Sequence, residues 1–174
     1  MTADTLALAP AVTAAAVPRP PVEVVLTTLS SDAHTWNLAY LELLLEELGC
    51  SVTNLGACTP DETIIAACRT RRPDLLVISS LNGHGHHDGM RLIGALRAGH
   101  ATAGLPVVIG GKLDVAGGGD GNNAERLMAA GFDAVFEDGA GLTRFRSLVG
   151  KLALQGAAPA GLEASHGDDT QTTP

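Results

Sequence analysis

Apolar stretches of strand length alternate along this chain with stretches whose apolar residues recur at helical spacing. The strand-like stretches cover residues 23–29, 51–55, 75–79, 107–109 and 134–136. Helical stretches cover about 36–48, 90–98, 124–130 and 142–154, and another begins near Thr59. This alternation is typical of a parallel sheet covered by helices on both faces. It predicts a single α/β domain with a doubly wound, flavodoxin-like (Rossmann-like) sheet of five parallel strands, which binds ligands beyond the carboxyl ends of its strands.

Local residue choices predict where two of the helices begin or end. The first helix carries a leucine stripe, and Gly49 is expected to end it. Thr59-Pro60-Asp61-Glu62 predicts the start of the second helix as a capping box. In that motif Thr59 is the N-cap, Pro60 is the first helical residue and Glu62 follows as the reciprocal partner.

Composition limits the class of partner. The chain has 174 residues, with 11 basic and 19 acidic side chains and a net charge of −8, which argues against nucleic acid and anionic membrane. Its 3 cysteines form no Cys-x-x-Cys pair and suit a reducing cytoplasm. No signal-peptide n-region precedes the first apolar stretch, and no run approaches the ~20 apolar residues of a membrane helix. Residues 1–21 and 156–174, biased toward small and polar residues, are predicted to be disordered tails around a folded domain of 22–155.

A histidine follows the first predicted strand in the motif Asp32-Ala33-His34. A metal-binding imidazole uses one ring nitrogen for the metal and donates the proton of the other to a group that fixes its tautomer. The nearby carboxylate therefore makes His34 a candidate metal ligand. One histidine is too few ligands for a zinc site, so most of the coordination sphere would have to arrive with a cofactor. The alternative is a hydrogen-bonded loop histidine without a metal.

Two further loops are predicted at the same edge of the sheet. Ser79-Ser80-Leu81-Asn82-Gly83 follows the third strand and Gly110-Gly111 follows the fourth. The glycine pair indicates either a tight turn with positive φ or a surface without Cβ atoms against which a ligand can lie. Ser79 has an alternative role in satisfying a backbone group at the strand end.

The segment Gly83-His84-Gly85-His86-His87-Asp88 superficially matches a dinucleotide-binding fingerprint. It follows the third strand, however, and ends in Asp where a small residue is needed. The three histidines could chelate a metal, but two of them are adjacent. A solvated glycine-rich loop is the simpler interpretation.

Taken together, Asp32-Ala33-His34, Ser79-Ser80-Leu81 and Gly110-Gly111 resemble the Asp-x-His-x-x-Gly, Ser-x-Leu and Gly-Gly signature of the cobalamin-binding domains. The likeness is strongest to the small component of glutamate mutase (methylaspartate mutase) and covers nearly the whole domain. It implies that His34 binds cobalt base-off, in place of the cofactor's own base, with Asp32 as its hydrogen-bond partner. It implies that Ser79 bonds to the nucleotide tail. The implied cofactor contacts are Asp32, His34, Ser79, Leu81, Gly83, Gly110, Gly111 and Gly139.

The resemblance also implies an activity. The chain would be the cobalamin-binding subunit of an adenosylcobalamin-dependent isomerase that interconverts L-glutamate and threo-3-methylaspartate. A large barrel-type subunit would carry the substrate site, and this chain would be inactive without it. The alternatives are a non-catalytic corrinoid carrier or cobalamin sensor, and a phosphoreceiver, which would need an aspartate at the strand end occupied by Ser79.

Two features depart from the family pattern. Asn37, after the bulky Trp36, stands where the family has glycine, and the loop after the last strand reads Glu137-Asp138-Gly139-Ala140 in place of Pro-Gly-Thr. A side chain at position 37 either crowds the nucleotide tail or hydrogen-bonds to it. The family's glycine favours crowding.

Overall fold

A computed structural model describes residues 20–113, 122–137 and 141–155. Strands and helices alternate as β1 Glu23–Thr28, α1 Thr35–Glu47, β2 Ser51–Asn54, α2 Asp61–Arg71, β3 Leu75–Ser80, α3 Gly85–Ala98, β4 Val107–Gly111, α4 Asn123–Ala130, β5 Ala134–Phe136 and α5 Gly141–Gln155. The strands form one parallel sheet in the order β2-β1-β3-β4-β5. The predicted fold class is confirmed. The two predicted tails lie outside the described residues, apart from positions 20 and 21.

Helices bury the sheet on both faces. Val24, Leu26 and Val77 point to the face covered by α1 and α5, whereas Val25 and Ile78 point to the face covered by α2, α3 and α4. Every residue of β3 is buried, as expected for a central strand without a solvent face. The strands β1 and β3 are neighbours, so their carboxyl ends present the two motif-bearing loops side by side.

The capping-box prediction for α2 is wrong. The N-cap is Pro60, whose extended backbone (φ −62°, ψ 147°) precedes a helix that begins at Asp61 and has no side-chain cap. The Thr59 hydroxyl donates backwards to the Gly56 carbonyl at 3.0 Å. Glu62 is exposed. The Thr59 hydroxyl thus joins the Thr28 N–H as a donor to the Gly56 carbonyl, and it is not available to cap α2.

The start of α3 is also earlier than the predicted position near residue 90, because Gly85–Ala98 includes most of the segment interpreted as a loop. Gly85 is buried, and a Cβ there would lie 2.7 Å from Leu113 Cδ2 and 2.8 Å from the Ser80 hydroxyl. The glycine is therefore needed for close packing at a helix start. Sequence periodicity could not separate this use of glycine from its use in a loop.

Candidate cofactor-binding site

Asp32 holds His34 through a buried carboxylate at the end of β1. The Oδ1 atom of Asp32 accepts the backbone N–H of His34 at 2.9 Å and lies 2.6 Å from His34 Nδ1. The Oδ2 atom accepts the N–H of Leu81 from the loop after β3. Burial works to raise the pKa of Asp32, but the hydrogen bonds from Leu81 and His34 outweigh it and hold that pKa below its ordinary value. The residue is 0 % exposed and ionised at neutral pH.

An ionised Asp32 determines which imidazole nitrogen is free. The carboxylate can only accept, so in the neutral ring Nδ1 of His34 is the protonated nitrogen and Nε2 is the one with a lone pair. The His34 side chain is 53 % exposed, at the carboxyl edge of the sheet. A pre-oriented imidazole with an accessible Nε2 fits the role of an axial ligand to a metal that arrives with its own equatorial ligands.

The backbone of Asp32 is fixed as firmly as its side chain. Its carbonyl accepts the hydroxyl of Thr28 at 2.6 Å and the backbone N–H of Cys58 at 2.9 Å. Thr28 is 0 % exposed. Sequence reasoning missed both residues, although a threonine at the end of a buried apolar strand is a signal that a backbone group nearby needs a partner.

A cavity of about 370 Å³ lies beside the sheet, between α1, α5 and the carboxyl halves of β3 and β4. Its wall is mainly apolar, and its polar side chains come from Asn37, Tyr40, Lys112 and Glu137. Of the predicted contacts, Leu81, Gly110 and Gly111 line it. The aromatic residues Tyr40, Phe136 and Phe145 also line it and were not predicted. Phe136 and Phe145 follow the same strand and helical periodicity as core residues, and Tyr40 is an exposed residue of α1 outside its buried leucines. The volume and apolar wall of this slot suit a planar organic group.

Close backbone packing explains the glycine pair, and both residues also line the cavity. Gly111 has φ +117°, and a Cβ there would collide with the Ser80 carbonyl of the neighbouring strand. A Cβ on Gly110 would lie 3.0 Å from the Phe136 carbonyl. Since both residues also line the cavity, the close packing of β3, β4 and β5 leaves a stretch of cavity wall without side chains.

Two further predicted contacts, Ser79 and Gly83, do not line the cavity. Ser79 is 2 % exposed, and its hydroxyl accepts a hydrogen bond from Asn37 Nδ2 at 2.5 Å. Gly83 is buried with φ +78°, and its N–H donates to the Lys112 carbonyl at 3.3 Å. Gly139 lies outside the described residues.

A second polar network, also missed by sequence reasoning, braces the loop that carries His34. Asp88 of α3 accepts the Ser31 hydroxyl and pairs with Arg91 at 2.6 Å, while Arg91 makes two further bonds to Asp61 of α2, at 2.7 and 3.0 Å. Burial works to raise the pKa of Asp88, and its bonds to Ser31, Arg91 and His87 hold it below the ordinary value. The predicted glycine-rich "loop" thus contributes an anchoring carboxylate through its last residue.

The histidine cluster does not form a metal site within the described residues. His87 is exposed, 3.4 Å from Asp88 Oδ1, and His84 is the exposed N-cap of α3. No group of three or more histidine, cysteine, aspartate or glutamate side chains in the described ranges could hold a metal ion. Within the same ranges, no helix is long and apolar enough to cross a membrane.

Comparison with known proteins shows the family of the chain. Residues 22–143 match the B12 binding domain. The chain belongs to this family. It is 36 % identical to the glutamate mutase sigma subunit of Halobacterium salinarum over 113 residues, which is 65 % of this chain and 74 % of the relative. It is 32 % identical to the glutamate mutase sigma subunit of Treponema denticola over 121 residues, or 68 % of this chain and 84 % of the relative.

Solved structures support the fold of this B12-binding domain. A cobalamin-binding protein from Desulfitobacterium hafniense superposes with a TM-score of 0.61 at 22 % identity, over 76 % of this chain and 59 % of that protein. A receiver domain of a response regulator from Colwellia psychrerythraea gives 0.56 at 19 % identity, over 76 % of this chain and 98 % of that one. Such values reflect a shared fold, so the choice between the two functions depends on the residues at the strand ends.

Proposed function

We propose that this chain is the cobalamin-binding subunit of an adenosylcobalamin-dependent carbon-skeleton mutase that interconverts L-glutamate and threo-3-methylaspartate. The observation that carries the proposal is the buried Asp32 carboxylate, which holds the half-exposed His34 ring through Nδ1 at the start of α1, the helix whose Asn37 lines the apolar cavity. The reaction is proposed from the names of two relatives, both glutamate mutase sigma subunits, which are 36 % and 32 % identical to this chain.

In this proposal His34 would bind cobalt in place of the cofactor's own base, and Asp32 would hold the ring in the ligating tautomer. The cavity wall formed by Leu81, Gly110 and Gly111 receives the displaced nucleotide tail. When bound, adenosylcobalamin supplies radical chemistry through cleavage of its cobalt–carbon bond. The protein's own contribution is to bind and orient the cofactor and to exclude water from its nucleotide tail.

A separate large subunit would carry the substrate site. His34 is exposed at the strand-end edge, where the proposal assigns its free nitrogen to cobalt, and the Asp32 carboxylate beneath it is fully committed to three hydrogen-bond donors. Neither group is available to move protons on a substrate. We therefore expect a barrel-type partner to cover the bound cofactor and enclose the substrate.

The ligation is tested with cob(II)alamin and protein labelled with ¹⁵N in histidine. Electron paramagnetic resonance of the complex should show coupling between cobalt and one imidazole nitrogen, and His34→Ala should abolish it. The matched control is His100→Ala, because His100 is exposed after the end of α3 and lies outside the proposed contacts. Coupling that persisted in His34→Ala would refute the assignment.

The division of labour is tested by assaying 3-methylaspartate formation. The purified chain with adenosylcobalamin should be inactive, and activity should appear when a large glutamate mutase subunit is added. Turnover by the chain alone would contradict the proposal. Histidine coupling without activity alongside such a partner would instead favour a corrinoid carrier or a cobalamin sensor.

A further inference from the structure

Asn37 contributes a polar side chain to the cavity wall from the first turn of α1. It is the third residue of α1, directly before the buried Leu38, and it lines the cavity wall. Its Nδ2 atom donates to the hydroxyl of Ser79 at 2.5 Å. Ser79 is two residues after Val77, which also lines the cavity, so both point to the same face of the sheet. Asn37 therefore lies between Ser79 and the cavity.

Burial differs between the two partners. Ser79 is 2 % exposed, whereas Asn37 is partly exposed. A ligand that enters the cavity consequently meets the amide of Asn37 before the hydroxyl of Ser79. The carboxamide nitrogen carries two protons, and Ser79 accepts only one of them. The second N–H and the Oδ1 atom remain for a ligand.

The lower base of the proposed ligand carries a nitrogen that could accept a hydrogen bond from the Asn37 amide. When a histidine replaces the lower base on cobalt, the ring nitrogen that leaves the metal regains an unshared electron pair. An acceptor buried in an apolar slot without a donor costs free energy. Tyr40 and Lys112 also carry donors in the slot, but both residues are exposed, whereas Asn37 is held in place by Ser79. The hydroxyl of Ser79, which the resemblance implies as the contact to the tail, is 2 % exposed and does not line the cavity, so the amide of Asn37 lies in front of it.

We infer that Asn37 makes the polar contact to the displaced lower base, and that Ser79 is a positioning residue that holds the Asn37 amide. The inference rests on the proposed function, since it needs a cobamide bound with its base detached. It replaces the crowding expected from the sequence with a specific attraction. Asn37 would then favour cobamides whose lower base carries an acceptor nitrogen.

The test measures the dissociation constants of two cobamides, cobalamin and phenolyl cobamide, whose lower ring has no acceptor nitrogen. Asn37→Ala should weaken cobalamin binding about fivefold, the worth of one neutral hydrogen bond, and change phenolyl cobamide binding less than about twofold. The ratio of the two constants is compared between variants, so the cost of detaching the base cancels. Glu46→Ala, at an exposed position on the same helix and outside the cavity wall, should leave both constants unchanged.

Other outcomes separate this inference from the proposed function. Tighter binding of both cobamides by Asn37→Ala, or an unchanged ratio, would show crowding or no contact and overturn the inference while leaving ligation by His34 intact. Failure of the wild-type protein to bind either cobamide would refute the proposed function itself. Ser79→Ala should reduce the ratio less than Asn37→Ala does, because it frees the amide without removing it. A larger loss in Ser79→Ala would assign the contact to the hydroxyl and overturn the inference.

Discussion

Replacing Asp32 by asparagine changes one atom and forces a choice between hydrogen bonds. The carboxylate now accepts from three donors, two on Oδ1 from His34 and one on Oδ2 from Leu81. An asparagine keeps one acceptor oxygen and presents an NH₂ group on the other side. If the oxygen faces His34, two bonds survive and the Leu81 N–H confronts a donor. If it faces Leu81, both His34 bonds are lost, so the first orientation is favoured.

The expected magnitude follows from the burial of the site. Asp32 is 0 % exposed, so water cannot replace the missing acceptor for the Leu81 N–H. A buried donor left without a partner costs about 1–3 kcal/mol, and we expect the free energy of unfolding to fall by that amount in Asp32→Asn. Ligation by His34 should survive, with cobalamin affinity about 10- to 100-fold weaker because the imidazole loses the charge of its partner.

Urea unfolding gives the free energy, and Asp74→Asn is the matched control. Asp74 also accepts a backbone N–H, from Glu23 at 2.9 Å, but it is exposed, so its replacement should cost only a few tenths of a kcal/mol. Because the pKa of Asp32 is lowered in the folded state, its contribution is present above the ordinary carboxyl pKa and is lost as the pH falls through the folded value. The wild-type and Asp32→Asn stabilities should therefore converge in acid. Equal stabilities of the two proteins at pH 7 would refute this account of Asp32.

Three further outcomes follow from local geometry. Gly111→Ala should lower the free energy of unfolding in urea by at least about 2 kcal/mol, because φ is +117° and the added Cβ would meet a backbone carbonyl. The control Gly94→Ala, in open space on α3, should raise it by about 0.5–1 kcal/mol, and an unchanged stability of Gly111→Ala would contradict the packing described. Alkylation followed by mass spectrometry at pH 8 should label the exposed Cys58 well before Cys68, whose pKa burial raises to about 11, and equal rates would disprove the difference. Arg91→Ala should lower the free energy of unfolding by about 1 kcal/mol, because Asp88 loses its cationic partner, and an unchanged unfolding curve would show that the network contributes nothing.

The element order and the strand-end position of His34 could be predicted because both depend on periodicity and on the rule that parallel strands end at one edge. The start of α3 at Gly85 could not, since its glycine serves packing against Leu113 and Ser80, which are brought close only by the fold. The pairing of Asp32 with His34 is local and was predicted from their spacing. The third bond to the same carboxylate, from Leu81, depends on strand pairing and could not be predicted from the residues around Asp32.

That third bond also determines the stage of protein synthesis at which the Asp32 carboxylate can acquire all three of its hydrogen bonds. Asp32 and Leu81 are 49 positions apart, and they meet only after β3 has paired with β1 across the excursion through β2 and α2. A growing chain of which only β1 and α1 have left the ribosome carries Asp32 and His34 without the Leu81 bond that anchors their carboxylate in the fold. Since a cofactor that binds only the finished sheet stabilises that state by mass action, cobalamin would distinguish completed chains from partial ones.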